Sequence, residues 1–318
     1  MAAITLKQSY PGYISTEGGA ADELNKSIDA MRMRYNNQPL QMAQFFRTVK
    51  AKAGSYYEST FGDELDLPRV SADGDTLPFL IPTKGFKKQF NVVQYRAAIQ
   101  VERAETEQDL FAVAKRKMGG LLRSGRVLLE YSMADIFNNL TATGAAYLGA
   151  DNLAVAASNH PYPDSLLGTW SNLESSGDLT YTNFTTARKN MRKRKNAKGQ
   201  VMGIMPKVIV VPIDKEKEAR TVLGSELVPS SANNDTNVWQ NSVEIKVIDY
   251  LTSTTAWMLM GDIPAEYCGF LYVEDVAPSI APTTGGDTST DIIYGQRLRM
   301  RFAVGSTVEP NIQYNAGA

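Results

Sequence analysis

The longest regular pattern of apolar positions runs from Glu105 to Leu140, ETEQDLFAVAKRKMGGLLRSGRVLLEYSMADIFNNL, without a proline. Leu110, Val113, Ala114, Met118, Leu121, Leu128, Met133, Ile136 and Leu140 return mostly at steps of three and four, which makes one apolar stripe on a helix. Thr106 is placed to cap it, and Glu107 and Asp109 put acid into the first turn, where the helix dipole favours negative charge. At about 1.5 Å per residue the predicted helix is about 50 Å long, far beyond the common three turns. Gly119, Gly120 and Gly125 interrupt it, each at a cost of about 1 kcal/mol against alanine. Packing must therefore hold the helix, or it bends at the Gly119–Gly120 pair. Such a helix suits the core of an ordinary enzyme, or a spine from which separate pieces hang.

The flanking patterns favour the spine. Residues 1–19 are polar and aperiodic, as expected of an extended arm. Ala21, Leu24, Ile28, Met31 and Tyr35 predict a short helix. Pro39 opens a second, with Leu40, Ala43, Phe46 and Val49 on one face and Gly54 as its stop. From Asp63 the chain holds three prolines within FGDELDLPRVSADGDTLPFLIPTKG and does not read as core. After the basic tip Lys84-Gly85-Phe86-Lys87-Lys88, Phe90, Val92, Tyr95, Ala97, Ile99 and Val101 give strand-like alternation. This predicts a long two-stranded excursion with no obvious partner in its own chain. An isolated hairpin is marginal in water, so an adjacent subunit would supply the partner.

Beyond the long helix, residues 141–180 are rich in loops. Helices are predicted over 183–195, with Phe184, Ala187 and Met191 inward, and over 214–223. Strands are predicted over 207–212, 244–250, 256–261 and 269–273, which together make a mixed α/β domain. After the loop 282–291, residues 292–308 alternate Leu298, Met300 and Phe302 against Arg297, Arg299 and Arg301. That is a long strand with one apolar and one basic face, expected to return beside the long helix.

At 318 residues the chain suggests about two domains, and a 43% hydrophobic, 21% charged composition is that of a globular protein. The net charge of −1 points globally to neither nucleic acid nor an anionic membrane. No apolar run is long enough to span a bilayer, and MAAITLKQSY lacks a signal-peptide core, so synthesis in the cytosol is expected. One cysteine and one histidine exclude an internal disulfide and multi-Cys or two-His metal motifs. Cys268 reads as a buried strand residue, and His160, in SNHPYPD, as a hydrogen bonder that shapes a loop. Phosphate-binding, dinucleotide, nucleophile-elbow and zinc-protease motifs do not occur. The clusters Asp63/Glu64/Asp66, Asp73/Asp75 and Glu102/Glu105/Glu107/Asp109 could serve a metal-assisted hydrolase only by converging; solvation or helix capping suits their spacing better. Arg188, Lys189, Arg192, Lys193, Arg194, Lys195 and Lys198 crowd one helix C-terminus, which the dipole favours. A solvated face, an acidic neighbouring subunit or nucleic-acid phosphate would each suit them, and no aromatic residues are interleaved to stack bases.

Several stretches, in this order, resemble the major capsid proteins of tailed bacteriophages. They are YRAAIQVERAETEQDLF, SNHPYPDSLLGTWSNL, LTYTNFTTARKNMRKRKNAKGQVMGIMPKVIVVPIDKEKEARTVL and VIDYLTSTTAWMLMGD, within roughly residues 60–310. The resemblance is to the Hong Kong 97-like fold, and within it to a Mu-like major head subunit. It implies an α+β (mixed) fold with an N-terminal arm at 1–55, an extended loop at 68–100 and an axial domain at 146–290. The peripheral domain, with its spine helix, would take 56–67, 101–145 and 291–318. It implies a structural protein and no enzyme, with no cofactor and no metal. Copies would join in hexamers and pentamers of an icosahedral shell around double-stranded DNA, held by non-specific contact. Separate scaffolding, portal and cement proteins are further expected partners, and a membrane is not. Residues 1–55 are too short for the cleaved scaffolding segment of some relatives. Lys84, Lys87, Lys88, Arg192, Arg194 and Lys195 are candidate contacts between subunits, and Gly119 and Gly120 a candidate bend as the shell expands. The site of expected action is the virion, after assembly in the host cytoplasm. An encapsulin-like compartment would resemble the same fold; the metal-assisted α/β hydrolase is the alternative of another class.

Overall fold

In the computed structural model the described part of the long apolar stripe forms one unbroken α-helix, α1 (Ala112–Asn138), continuous through Gly119 and Gly120. The structure describes residues 7–8, 30, 33, 39–51, 55–60, 64–71, 73–74, 76, 79–82, 84–102, 112–174, 177–229, 235–261, 269–282 and 292–317. Before α1 come the strands β1 (Lys7–Gln8), β2 (Arg47–Lys50), β3 (Ser55–Thr60), β4 (Phe86–Asn91) and β5 (Val93–Glu102). After it come β6 (His160–Pro161), β7 (Thr169–Trp170), β8 (Leu173–Glu174), helix α2 (Tyr181–Arg192), β9 (Pro206–Pro212) and helix α3 (Glu216–Gly224). The chain ends with β10 (Glu244–Ile248), β11 (Trp257–Gly261), β12 (Phe270–Pro282), β13 (Ile292–Ser306) and β14 (Ile312–Asn315). Few helices and several sheets make a mixed α+β fold. Two compact units share the chain. One holds Met1–Tyr56, Phe90–Met133 and Tyr272–Val304; the other holds Tyr57–Gln89, Ala134–Leu271 and Gly305–Ala318.

The first unit is built on a sheet of order β1-β12-β13-β5, with β2 also on β12. β13 runs antiparallel to β5, pairing Leu298 with Ala97, Met300 with Tyr95 and Phe302 with Val93. Leu298, Met300 and Phe302 are buried, and Tyr95 stacks on Phe302 with ring centroids 4.7 Å apart. The apolar side of β13 at Leu298 and Met300 thus lies under α1, as expected. The approach is closest at Gly125, where a Cβ would stand 2.7 Å from Leu298 Cδ2 and 3.2 Å from Met300 Cε. That contact explains the glycine. Gly120, by contrast, has open space where a Cβ would be. Gly120→Ala is therefore expected to stabilise the subunit by about 0.5–1 kcal/mol, read as a higher Tm. A lower Tm would mean that α1 is not a regular helix at that point.

The second helix expected from Pro39 is instead a 3-10 turn, Ala43–Phe45, followed by β2. Met42, Phe45 and Phe46 are all buried, and the Glu130 carboxylate on α1 accepts the Gln41 and Met42 amides at 2.6 and 3.0 Å. The chain is thereby fixed at the turn, and Thr48 and Val49 enter a ladder on β12. β-Branched residues accept that role readily. The two-stranded excursion expected between Asp63 and Val101 has its strands elsewhere than the alternation suggested. Between 64 and 85 no described residue is in a strand; β4 pairs with β3, and β5 with β13. The ladder from Val93 to Glu102 offers more paired backbone than a short hairpin could. The arm, the helix over 21–35 and the Thr106 cap lie outside the described residues, apart from 7–8, 30 and 33. So do Cys268 and the loop 283–291.

The second unit carries a mixed sheet of order β10-β9-β11-β14-β8. β10 is parallel to β9, and β14 to β8; β11 is antiparallel to both of its neighbours. Phe184, Ala187 and Met191 of α2 pack with Ile209, Val211, Trp257, Leu259 and the buried face of α3 in its core. This division follows packing within one chain. The arm, extended loop, peripheral and axial pieces expected from the sequence are defined instead by position in an assembly.

Candidate functional site

The segment from Glu64 to Lys88 is held at both ends. At its start the Glu64 carboxylate, nearly buried, accepts the Ala197 amide at 2.7 Å. Lys198 Nζ meets Asp66 at 3.3 Å, and Gln200 Nε2 donates to the Leu65 carbonyl at 3.3 Å. At its end Lys88 Nζ donates to the carbonyls of Leu148 and Ser306 at 2.5 and 2.9 Å, while Phe86 packs against Tyr162, Trp170, Ala197 and Val308. Between these anchors Leu67, Phe79 and Ile81 are 68%, 91% and 79% exposed, and Val70 is fully exposed. Single exposed apolar residues are ordinary; here four of them lie on one segment tied at both roots.

Lys88 was expected at an exposed tip, and the structure turns it inward. It lies between Phe86 and Phe90 at the period of two, on the same side of β4, and that spacing was the available signal. Burial pushes its ammonium down from 10.5 to about 8, with the Asp151 carboxylate opposing the shift. Between about 8 and 10.5 the unfolded chain still binds the proton that the folded chain has released, so stability rises with pH across that window. The neutral amine keeps two N–H groups, enough for both carbonyls. Stability of the wild type relative to Lys88→Met should therefore increase from neutral pH to pH 10, followed by urea unfolding. A constant difference would contradict this.

α2 begins at Thr180, whose hydroxyl accepts the Asn183 amide at 3.2 Å. Phe184, Ala187 and Met191 face the core, and Arg188 lies 4.6 Å from the centre of the Trp239 ring. Lys189, Arg192, Lys193 and Lys195 are exposed. Arg194 is not. It is 5% exposed and continues the buried stripe three residues after Met191. Its Nη1 donates to the carbonyls of Pro310 and Ile312, and its Nη2 to the Ser171 carbonyl and Gln313 Oε1. The guanidinium also covers the Trp170 ring at 5.0 Å. Burial pushes its pKa down to about 10, against the pull of Tyr162 and Glu309, so it stays charged at neutral pH. Arg194 thus leaves the candidate set of subunit contacts because its donors are spent inside the fold. Lys84, Lys87, Arg192 and Lys195 remain at the surface.

Trp170 also stacks on His160, with centroids 4.6 Å apart. His160 is fully buried, with Nδ1 2.6 Å from Asp151 Oδ2 and Nε2 3.1 Å from Asn172 Oδ1. The Asn172 amide is oriented by the Ala157 amide and the carbonyls of Val155 and Glu309. His160 therefore shapes its loop by hydrogen bonding, as its setting in SNHPYPD predicted. Asn172, Asp151 and Glu130 were missed, since lone polar residues carry no periodic signal. No three His, Cys, Asp or Glu side chains among the described residues are grouped to hold a metal ion.

A pinned exposed loop, a long helix over a sheet and a second mixed unit together invite comparison with known proteins. The phage capsid protein family model matches residues 87–311. The chain belongs to the phage capsid protein family. A capsid protein of this kind is structural, a major capsid subunit and not an enzyme, which overturns the hydrolase alternative. Solved phage capsids share the fold. The bacteriophage JBD30 capsid protein is similar at TM-score 0.54 and 13% identity, over 68% of this chain and 92% of that one. The capsid of cyanophage P-SCSP1u is similar at 0.52 and 11%, over 86% of each chain. The cyanophage Pam1 capsid is similar at 0.51 and 11%, over 86% and 91%. The capsid fold is thus of the Hong Kong 97-like type. No curated protein matches the sequence. No described helix is long and apolar enough to cross a membrane.

Proposed function

We propose that copies of this subunit join as hexamers and pentamers of an icosahedral shell around double-stranded DNA. The observation that supports the reading is the set of exposed apolar side chains Leu67, Val70, Phe79 and Ile81 on a segment anchored at Glu64 and Lys88. A neighbouring copy would cover them, and heterologous contacts of this kind close into rings. In the shell, residues 1–55 serve as the arm and 68–100 as the extended loop. Residues 56–67, 101–145 and 291–318 form the peripheral domain, and 146–290 the axial domain. Lys84, Lys87, Arg192 and Lys195 meet adjacent subunits, and α1 bends at Gly119–Gly120 as the shell expands. Scaffolding, portal and cement proteins act as separate chains, and assembly takes place in the host cytoplasm before the subunit enters the virion.

The test is electron microscopy with light scattering on the full chain, expressed alone and with its neighbouring genes. Closed shells, or rings of five and six, are expected. A monomer under both conditions would overturn the proposal.

A further inference from the structure

Arg96 and Arg299 stand directly opposite each other on β5 and β13. Arg297 and Arg301 flank Arg299 at two-residue steps, so all four share the face turned away from α1. Arg96, Arg297 and Arg299 are exposed, and none has an ion-pair partner among the described residues. Arg301 pairs with Asp275 at 2.9 Å. Like charges directly opposed in a ladder destabilise it. Nothing in the sheet calls for them here, because Ala98 and Gln94 stand opposite Arg297 and Arg301. The surface end of α2 is mostly lysine, whereas this face uses arginine at each cationic position. The guanidinium fork suits the paired oxygens of phosphate.

The spacing agrees. Side chains two residues apart on a strand recur at about 6.8 Å, twice the rise of about 3.4 Å per phosphate along one strand of a duplex. The β5 and β13 positions that share this face from Gln94 to Gln100 carry no aromatic ring for stacking on bases, which favours a duplex over a single strand. We propose that this arginine face of the first unit is the surface that holds the phosphates of the packaged duplex. The inference rests on the shell reading above and names the surface that serves it. Contact is independent of base sequence, since only phosphate oxygens are met.

The test uses the full-length subunit and a short mixed-sequence DNA duplex, with binding followed by fluorescence anisotropy across a salt series. The variant Arg96→Gln/Arg297→Gln/Arg299→Gln should bind at least about tenfold more weakly at low salt, with a log–log salt slope flatter by about 2.7. Removing charge from α2, with Lys189→Gln/Lys193→Gln, should leave the slope unchanged. Thermal melting checks the fold: relief of the Arg96–Arg299 repulsion predicts a Tm no lower than wild type. If the triple variant fails to fold, Arg96→Gln alone carries the test, with a slope change of about 0.9. Wild-type affinity and slope in the arginine variant would overturn the proposal. So would a variant that binds duplex normally yet fails to assemble, which would assign the face to an acidic surface of a second copy. Failure of the wild type itself to form shells would count against the shell reading, and the duplex assay would still report on the face.

Discussion

Arg194→Met is expected to destabilise the folded subunit by about 3–5 kcal/mol. Methionine replaces much of the volume, but it leaves the carbonyls of Ser171, Pro310 and Ile312 without the donors they now have. Each buried polar group so abandoned costs about 1–3 kcal/mol. Loss of the guanidinium over Trp170 adds to this. Arg194→Lys should recover little, because one ammonium cannot reach acceptors on both sides of a planar fork. The matched control is Arg192→Met, two residues away and exposed, where a change within about 0.5 kcal/mol is expected. Urea unfolding reads both as shifts in midpoint at constant slope. Equal midpoints for the two variants would mean that the Arg194 bonds do not hold β14 and the chain at Ser171 together. An assembly defect in Arg194 variants would then be a consequence of folding, whereas one in Arg192 variants would report on a subunit contact.

Phe79→Asp/Ile81→Asp should have the opposite profile. Both side chains are exposed in the single subunit, so its unfolding midpoint should barely move. Burying a large apolar side chain is worth about 1.5–3 kcal/mol, and two lost in each contact would weaken association by about 10²- to 10⁴-fold. Aspartate adds a desolvation cost on top. A folded monomer that makes no rings or shells is the expected product, visible by light scattering. Normal shells from this variant would remove the loop from the interface.

Much of this architecture is legible wherever burial is periodic along the chain. The stripe of α1, the Phe184–Ala187–Met191 face of α2 and the alternation of β13 all report which side of an element is buried. Even there, of the neighbours Leu128 and Leu129 it is Leu129 that is buried, a shift that an ideal helical period does not resolve. What could not be read is pairing at a distance. The partner of β5 lies far later in the chain, and β2 carries spacing that also fits a helix until Glu130 fixes its entry. The two inward cations show a different failure. Lys88 and Arg194 sit within runs of like residues that look uniformly solvated, although Lys88 falls on the apolar period of β4 and Arg194 on the continuation of that of α2. Periodicity outranks charge as a guide when a buried cation can find carbonyls. The exposed run from Leu67 to Ile81 had no such pattern, and its meaning comes from its two anchors.

The most direct measurement is hydrogen–deuterium exchange across residues 64–88, in the free subunit and in the assembled particle. The described residues of the segment have little backbone pairing of their own before β4, so rapid exchange is expected in the free subunit. Covered by an adjacent copy, it should become strongly protected on assembly, while the core strands β9 and β11 stay unchanged. Equally rapid exchange of residues 64–85 in both states would contradict the account, since the exposed apolar loop would then have no partner in the shell.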